Sequence, residues 1–238
     1  TAITSGHNNI LVGYSVGGAL TTGATNILIG SNAGSGITNQ GKNIAIGGNT
    51  NGTSNSSGNV AIGHQAIGNG GSGVAIGENA GRFEMAEGTF VGHNSGYLAG
   101  DYSVGLGWTA GAYTRGNYNV SIGHSAGKGV AYTTNSSNNV FLGYQAGTAI
   151  TSGGSNILIG YQAGSTLTTE SNKLYIENSN STTPLIYGEF DNDLVRIHGN
   201  LEVTGDIDLS GGNTRNLLVG GDQYVFQFVN NEVSTPYG

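Results

Sequence analysis

A triplet of mostly apolar residues closed by glycine recurs ten times along the chain: NILVG (Asn9 to Gly13), NILIG (Asn26 to Gly30), NIAIG (Asn43 to Gly47), NVAIG (Asn59 to Gly63), GVAIG (Gly73 to Gly77), GTFVG (Gly88 to Gly92), SVGLG (Ser103 to Gly107), NVSIG (Asn119 to Gly123), NVFLG (Asn139 to Gly143) and NILIG (Asn156 to Gly160). Successive closing glycines lie 17, 17, 16, 14, 15, 15, 16, 20 and 17 residues apart. That spacing is too short for a helical repeat and matches one coil of a β-solenoid. Each coil is predicted to hold two short strands and two turns. Three positions after the closing glycine a small residue is usually followed by another glycine, as in Ala33-Gly34, Ala80-Gly81, Ala126-Gly127 and Ala163-Gly164. Tight turns repeated at every coil explain why so much glycine is useful.

Within each triplet the two-residue period of a strand separates two faces. The residues one and three before the glycine form a β-branched stack, from Ile10/Val12 and Ile27/Ile29 to Val140/Leu142 and Ile157/Ile159. This stack is predicted to be the core of each coil. The residue between them reads Leu11, Leu28, Ala45, Ala61, Ala75, Phe90, Gly105, Ser121, Phe141 and Leu158, and none is charged. A strand position sampled this often without a charge is expected to be buried on that side too. One thin coil has nothing of its own to cover it, so Leu11, Leu28, Ala45, Ala61, Ala75, Phe90, Phe141 and Leu158 are predicted to line the axis of a closed homotrimer. The alternative is a monomeric roll carrying an apolar stripe.

After residue 170 the repeat stops and alternating strand patterns take over: KLYIEN (Lys173 to Asn178), PLIYGEF (Pro184 to Phe190), LVRIHGNLEVTGDIDLSG (Leu194 to Gly211) and QYVFQFV (Gln223 to Val229). The predicted organisation is head repeats over 1–170, a β-rich neck or connector over 171–211 and a C-terminal strand segment over 212–238. No apolar heptad runs along the chain, so no coiled coil is expected.

Composition narrows the function classes. Of 238 residues 45 are Gly, only two are Pro and 9% are charged, which fits neither a disordered linker nor collagen. Absence of cysteine removes disulfides and thiolate chemistry. Seven basic against fourteen acidic residues give a net charge of −7, which argues against nucleic acid as a partner. No apolar run approaches a membrane span, so no membrane insertion is expected.

The pattern N-(I/V)-(A/L)-I-G-x-x-A-G, over about residues 6 to 170, resembles the head repeat of trimeric autotransporter adhesins, the YadA-like head. The segment NKLYIENS...TPLIYGEFDNDLVRIHGNLEVTG is similar to necks of phage tail fibres and large bacterial surface fibre proteins. The resemblance implies an all-β, left-handed parallel β-roll solenoid of about ten coils, followed by a strand-rich neck and assembled as a trimer. It further implies an extracellular attachment fibre, on a bacterial surface or a virion tail. Gly73 and Gly88 in place of the leading Asn, and Gly105 within the apolar row, depart from the family pattern. The alternative role is a structural filament subunit assembled by strand docking.

Candidate chemistry is sparse. Gly68-Asn69-Gly70-Gly71-Ser72-Gly73 matches a phosphate-loop pattern but leads into a strand, and such a match is expected by chance in this composition. Asp191/Asp193 and Asp206/Asp208 are acidic pairs better read as turn or edge residues than as a calcium site. His64, His93 and His124 share one register after their closing glycines, although Tyr14, Trp108, Tyr144 and Tyr161 in the same slot suit an exposed turn rather than a metal site. No enzyme activity, cofactor or metal is expected. Recognition of a host-cell or surface glycan or protein receptor is assigned to aromatics in the irregular segments, namely Phe83, Tyr97, Trp108, Tyr113 and Tyr132. Ordinary packing between neighbouring loops is the alternative for these rings.

Overall fold

A computed structural model of the chain describes residues 3–50, 56–67, 73–83, 87–130 and 134–206. By contacts the chain divides into two compact units, Thr1–Asn200 and Leu201–Gly238. The first is an all-β parallel solenoid of about nine turns, with no helix among the described residues. Each apolar triplet becomes a strand: β1 (Ile10–Val12), β2 (Ile27–Ile29), β3 (Ile44–Ile46), β4 (Val60–Ile62), β5 (Val74–Ile76), β6 (Thr89–Val91), β7 (Val104–Leu106), β8 (Val120–Ile122), β9 (Val140–Leu142) and β10 (Ile157–Ile159). Three further strands, β11 (Lys173–Ile176), β12 (Ile186–Glu189) and β13 (Leu194–Ile197), continue the same sheet in chain order. Pairing is parallel from β1 to β11 and antiparallel from β11 through β13.

The second predicted strand of each coil is not formed. The opposite limb is a run of turns, tied to its neighbours by single backbone bonds such as Gly34 N to Thr50 O at 2.9 Å and Gly96 N to Ala110 O at 2.9 Å. Only the bridge between Thr114 and Thr134 is strand-like among the described residues of that side. The closing glycines explain how the chain leaves the strand so sharply. At Gly47, φ is 130° and a Cβ would sit 2.7 Å from the carbonyl oxygen of Gly63 in the next coil. Backbone conformation and the proximity of the adjoining coil both require glycine there.

The two strand faces are the reverse of the expectation. Leu28, Ala45, Ala61, Ala75, Phe90, Phe141 and Leu158 point into the roll and are at most 1% exposed in the single chain. Leu11, on the first strand, packs half-buried against the same interior. These residues therefore cannot line a trimer axis; their own coil covers them. The coil is narrow because its far limb carries Ala and Gly. A Cβ on Gly34, for example, would lie 2.8 Å from Leu28 Cδ1. One residue per strand fills that space, so the flanking Ile and Val are turned outward and are not the core.

Interior volume is balanced between coils. Phe90 occupies space that side chains at Gly88, Gly96 and Gly105 would need, where a Cβ would approach the ring to 2.3, 2.0 and 2.8 Å. Phe141 does the same against Gly127 and Gly147, each with a 2.3 Å approach. Between the two phenylalanine layers Ser121 is fully buried, and its hydroxyl finds no hydrogen-bond partner among the described residues. Ser121→Ala is expected to raise stability by about 1 kcal/mol, because a buried, unpaired hydroxyl is removed. Urea denaturation checks this, and a loss of similar size would show that the hydroxyl is bonded.

A second internal column is polar. Where consecutive strands are each preceded by Asn, the first Asn accepts, through Oδ1, the backbone N–H and side-chain amide of the next. Asn26 thus accepts from Asn43 at 3.0 and 3.1 Å, and Asn139 from Asn156 at 3.0 and 3.1 Å. These side chains are fully buried and hydrogen-bonded, which is how the roll tolerates amides in its interior. The column continues through Asn59 to the N–H of Gly73, and resumes where Ser103 Oγ accepts from Asn119 N.

Candidate interaction surfaces

The outward row of the sheet is the most extensive apolar surface of the solenoid. Ile10, Val12, Ile76, Val91, Leu106 and Leu142 are exposed, by between 36% and 56%, and the other β2 to β10 residues of this row are half-buried. Sequence reasoning placed this row in the core. A residue set that is mostly β-branched and never charged resembles a core stack whichever side it faces.

Two rims border that row. On one side, from the sixth coil on, the residue after the closing glycine stacks on its counterpart in the next coil. His93 meets Trp108 at 5.5 Å, Trp108 meets His124 at 5.5 Å, His124 meets Tyr144 at 5.2 Å and Tyr144 meets Tyr161 at 5.2 Å. On the other side Tyr102 and Tyr118 stack at 5.3 Å with planes 7° apart. Trp108 is turned out of its ladder, 70° from His93 and 54° from His124, and is 57% exposed. The shared histidine register is real, but it builds a ring ladder. His93 approaches Glu78 at 3.9 Å, His124 Nδ1 lies 3.0 Å from Ser125 Oγ, and no group of three metal-ligating side chains occurs among the described residues.

Of the predicted recognition aromatics, the structure brings three together. Phe83 and Tyr97 meet edge to face at 5.5 Å, and Tyr97 meets Tyr113 at 5.4 Å. The Arg82 guanidinium lies 4.6 Å over the Phe83 ring while donating to Gln65 and Asn79. Trp108 belongs to the rim ladder instead, and Tyr132 lies outside the described residues, as do Gly68 to Ser72, Asp208 and Gln223 to Val229. In all these ladders the ring faces are largely taken by neighbouring rings. Trp108 and Tyr118 are the most exposed of these rings, and Phe83, although exposed, has the Arg82 guanidinium over its face.

The strands after the repeat carry most of the perturbed titrations. Tyr187 donates to Glu189, which pushes the phenol up to about 12 and holds the carboxyl below its usual range. Asn192 and Lys173, the latter at 3.8 Å, also engage Glu189. Glu177 is likewise held low, by accepting from the backbone of Leu185 and Asn178. Asp191 and Asp193 lie exposed in the turn between β12 and β13. No family model matches the chain, and no curated protein or solved structure shows significant similarity to it.

Proposed function

We propose that the chain is a segment of a homotrimeric attachment fibre, displayed outside a bacterial cell or on a virion tail. The observation that supports this reading is the outward Ile/Val row. All ten of its strands lie beside a neighbour of the same character, and a contiguous apolar sheet face of that extent is unusual on a soluble monomer. Copies of the same chain offer an equally long face with the same coil-to-coil rise of about 4.8 Å. Covering this face leaves the Phe83–Tyr97–Tyr113 cluster outside the proposed interface as the attachment surface. Three copies would add avidity to weak individual contacts. The head-repeat resemblance agrees with the reading, and the role needs no catalysis or cofactor.

The test is a glycan and cell-surface binding screen with the purified chain, repeated with Phe83→Ala and Tyr97→Ala. Binding that weakens about tenfold or more in both variants supports attachment through this cluster. Binding unaltered by either places recognition elsewhere, and no binding to any surface removes attachment from the reading.

A structural filament subunit is a second reading, favoured by the outer edge of β13, which no other strand pairs among the described residues. That strand ends the sheet order, and its Val195 is 65% exposed. Unpaired edges invite strand addition. Electron microscopy separates the two, showing discrete particles for the first and open-ended fibres for the second.

A further inference from the structure

The interior row of the roll does not stop at the last coil. Register carries it from Leu158 to Tyr175 on β11, then to Tyr187 on β12 and Arg196 on β13. Here Tyr175, Thr182, Thr183, Tyr187, Arg196 and His198 line a pocket of about 270 Å³. An apolar interior thus opens at its C-terminal end into a recess walled by aromatic rings and edged by hydroxyls and two basic groups.

Several groups in this recess have spare bonding capacity. Tyr175 is only 6% exposed, yet its hydroxyl makes no hydrogen bond among the described residues. The Arg196 guanidinium lies 5.6 Å over the Tyr187 ring, exposed like His198, and its charge helps hold the Glu189 carboxyl low without a close ion pair among the described residues. His198 Nδ1 lies 2.7 Å from the Pro184 carbonyl oxygen, so Nδ1 carries the donated proton and Nε2 is left for another partner. The nearby carboxylates are already committed: Glu189 is held by Lys173, Tyr187 and Asn192, and Glu177 by Leu185, Asn178 and Ser179. Only seven Lys and Arg residues serve the whole acidic chain, so a guanidinium placed beside a histidine and a phenol hydroxyl that faces the recess is conspicuous.

From these features we infer that the recess binds a carboxylated sugar. The planar fork of Arg196 matches a carboxylate in bidentate fashion. Tyr175, Thr182 and the imidazole supply partners for ring hydroxyls, and Tyr187 supplies an apolar wall for the sugar's C–H face. A bare phosphate would satisfy the fork but leave most of the volume and the Tyr187 wall unused. This inference is independent of the attachment reading: it concerns the end of the roll, not its side, and holds whether the chain is a fibre or a filament subunit.

The test is isothermal titration of the full chain with glucuronate, with glucose and with inorganic phosphate. Glucuronate is expected to bind, glucose and phosphate to bind at least about tenfold more weakly, and Arg196→Gln to lose about tenfold or more of the glucuronate affinity. Arg196→Lys keeps the charge without the fork and is expected to lose affinity as well, and an unchanged melting curve for either variant excludes misfolding as the cause. The inference is overturned if glucuronate does not bind, if glucose or phosphate binds as tightly, or if well-folded Arg196→Gln binds glucuronate like the unmodified chain.

Discussion

Gly96→Ala is expected to cost about 3 to 4 kcal/mol. Two effects add. Gly96 has φ of 63°, a left-handed conformation that penalises a Cβ by roughly 1–2 kcal/mol. The new methyl would also lie 2.0 Å from Phe90 Cδ1, in an interior closed by the far limb, and overpacking of that kind costs typically about 1–3 kcal/mol. Urea denaturation measures the sum. The double variant Phe90→Leu, Gly96→Ala isolates the steric part, because the smaller side chain removes the collision but not the backbone strain. Its loss is expected to be smaller than the sum of the two single losses. A single-variant loss below about 1 kcal/mol would mean that the ring and the turn do not meet as described.

Neighbouring residues on β3 should respond in opposite ways to the same substitution. Ala45 is fully buried in the roll, whereas Ile46 is half-buried on the outward face. Ala45→Asp places an unpaired carboxylate in a dry interior, which costs several kcal/mol and is expected to abolish folding, seen as loss of the far-ultraviolet β signal. Ile46→Asp leaves the interior intact, so the β signal should persist. The proposed trimer should dissociate, because three like charges would be brought into one apolar interface. Circular dichroism with size-exclusion chromatography and light scattering reads both quantities. A folded Ala45→Asp chain would contradict the face assignment, and a trimeric Ile46→Asp chain would contradict the proposed interface.

These paired variants bear on what was legible from sequence. The coil period and the strand positions followed directly from the glycine-closed triplets, since every triplet from Ile10–Val12 to Ile157–Ile159 is a strand. Alternation separated the two rows but could not say which faced inward, because neither row contains a charge. The signal that decides it is volume. The inner row runs Ala75, Phe90, Gly105, Ser121, Phe141, with large rings beside small residues and glycines opposite, as a closed space of fixed size demands. The outer row has no such compensation because solvent imposes none. The number of strands per coil was overestimated for a related reason: turns linked by single bonds, such as Gly111 N to Ala126 O, can stack without forming a second ladder.

The recess at the end of the roll was not legible. Tyr175, Tyr187 and Arg196 are twelve and nine residues apart in sequence and share a row only through the antiparallel register of β11, β12 and β13. Of the recognition aromatics, Phe83, Tyr97 and Tyr113 were singled out by their place in irregular segments; that they meet one another was not legible, because it depends on the length of each insertion. Trp108 sits on the rim because it occupies the slot after a closing glycine, a position that the repeat itself identifies.

The most direct measurement is sedimentation equilibrium of the unmodified chain over a range of concentrations. If the outward Ile/Val face is covered by sister chains, the mass should be three times the 24.1 kDa of one chain. A single species of 24.1 kDa at every concentration would contradict it, leaving the apolar face of the sheet in water and the fibre without its means of assembly.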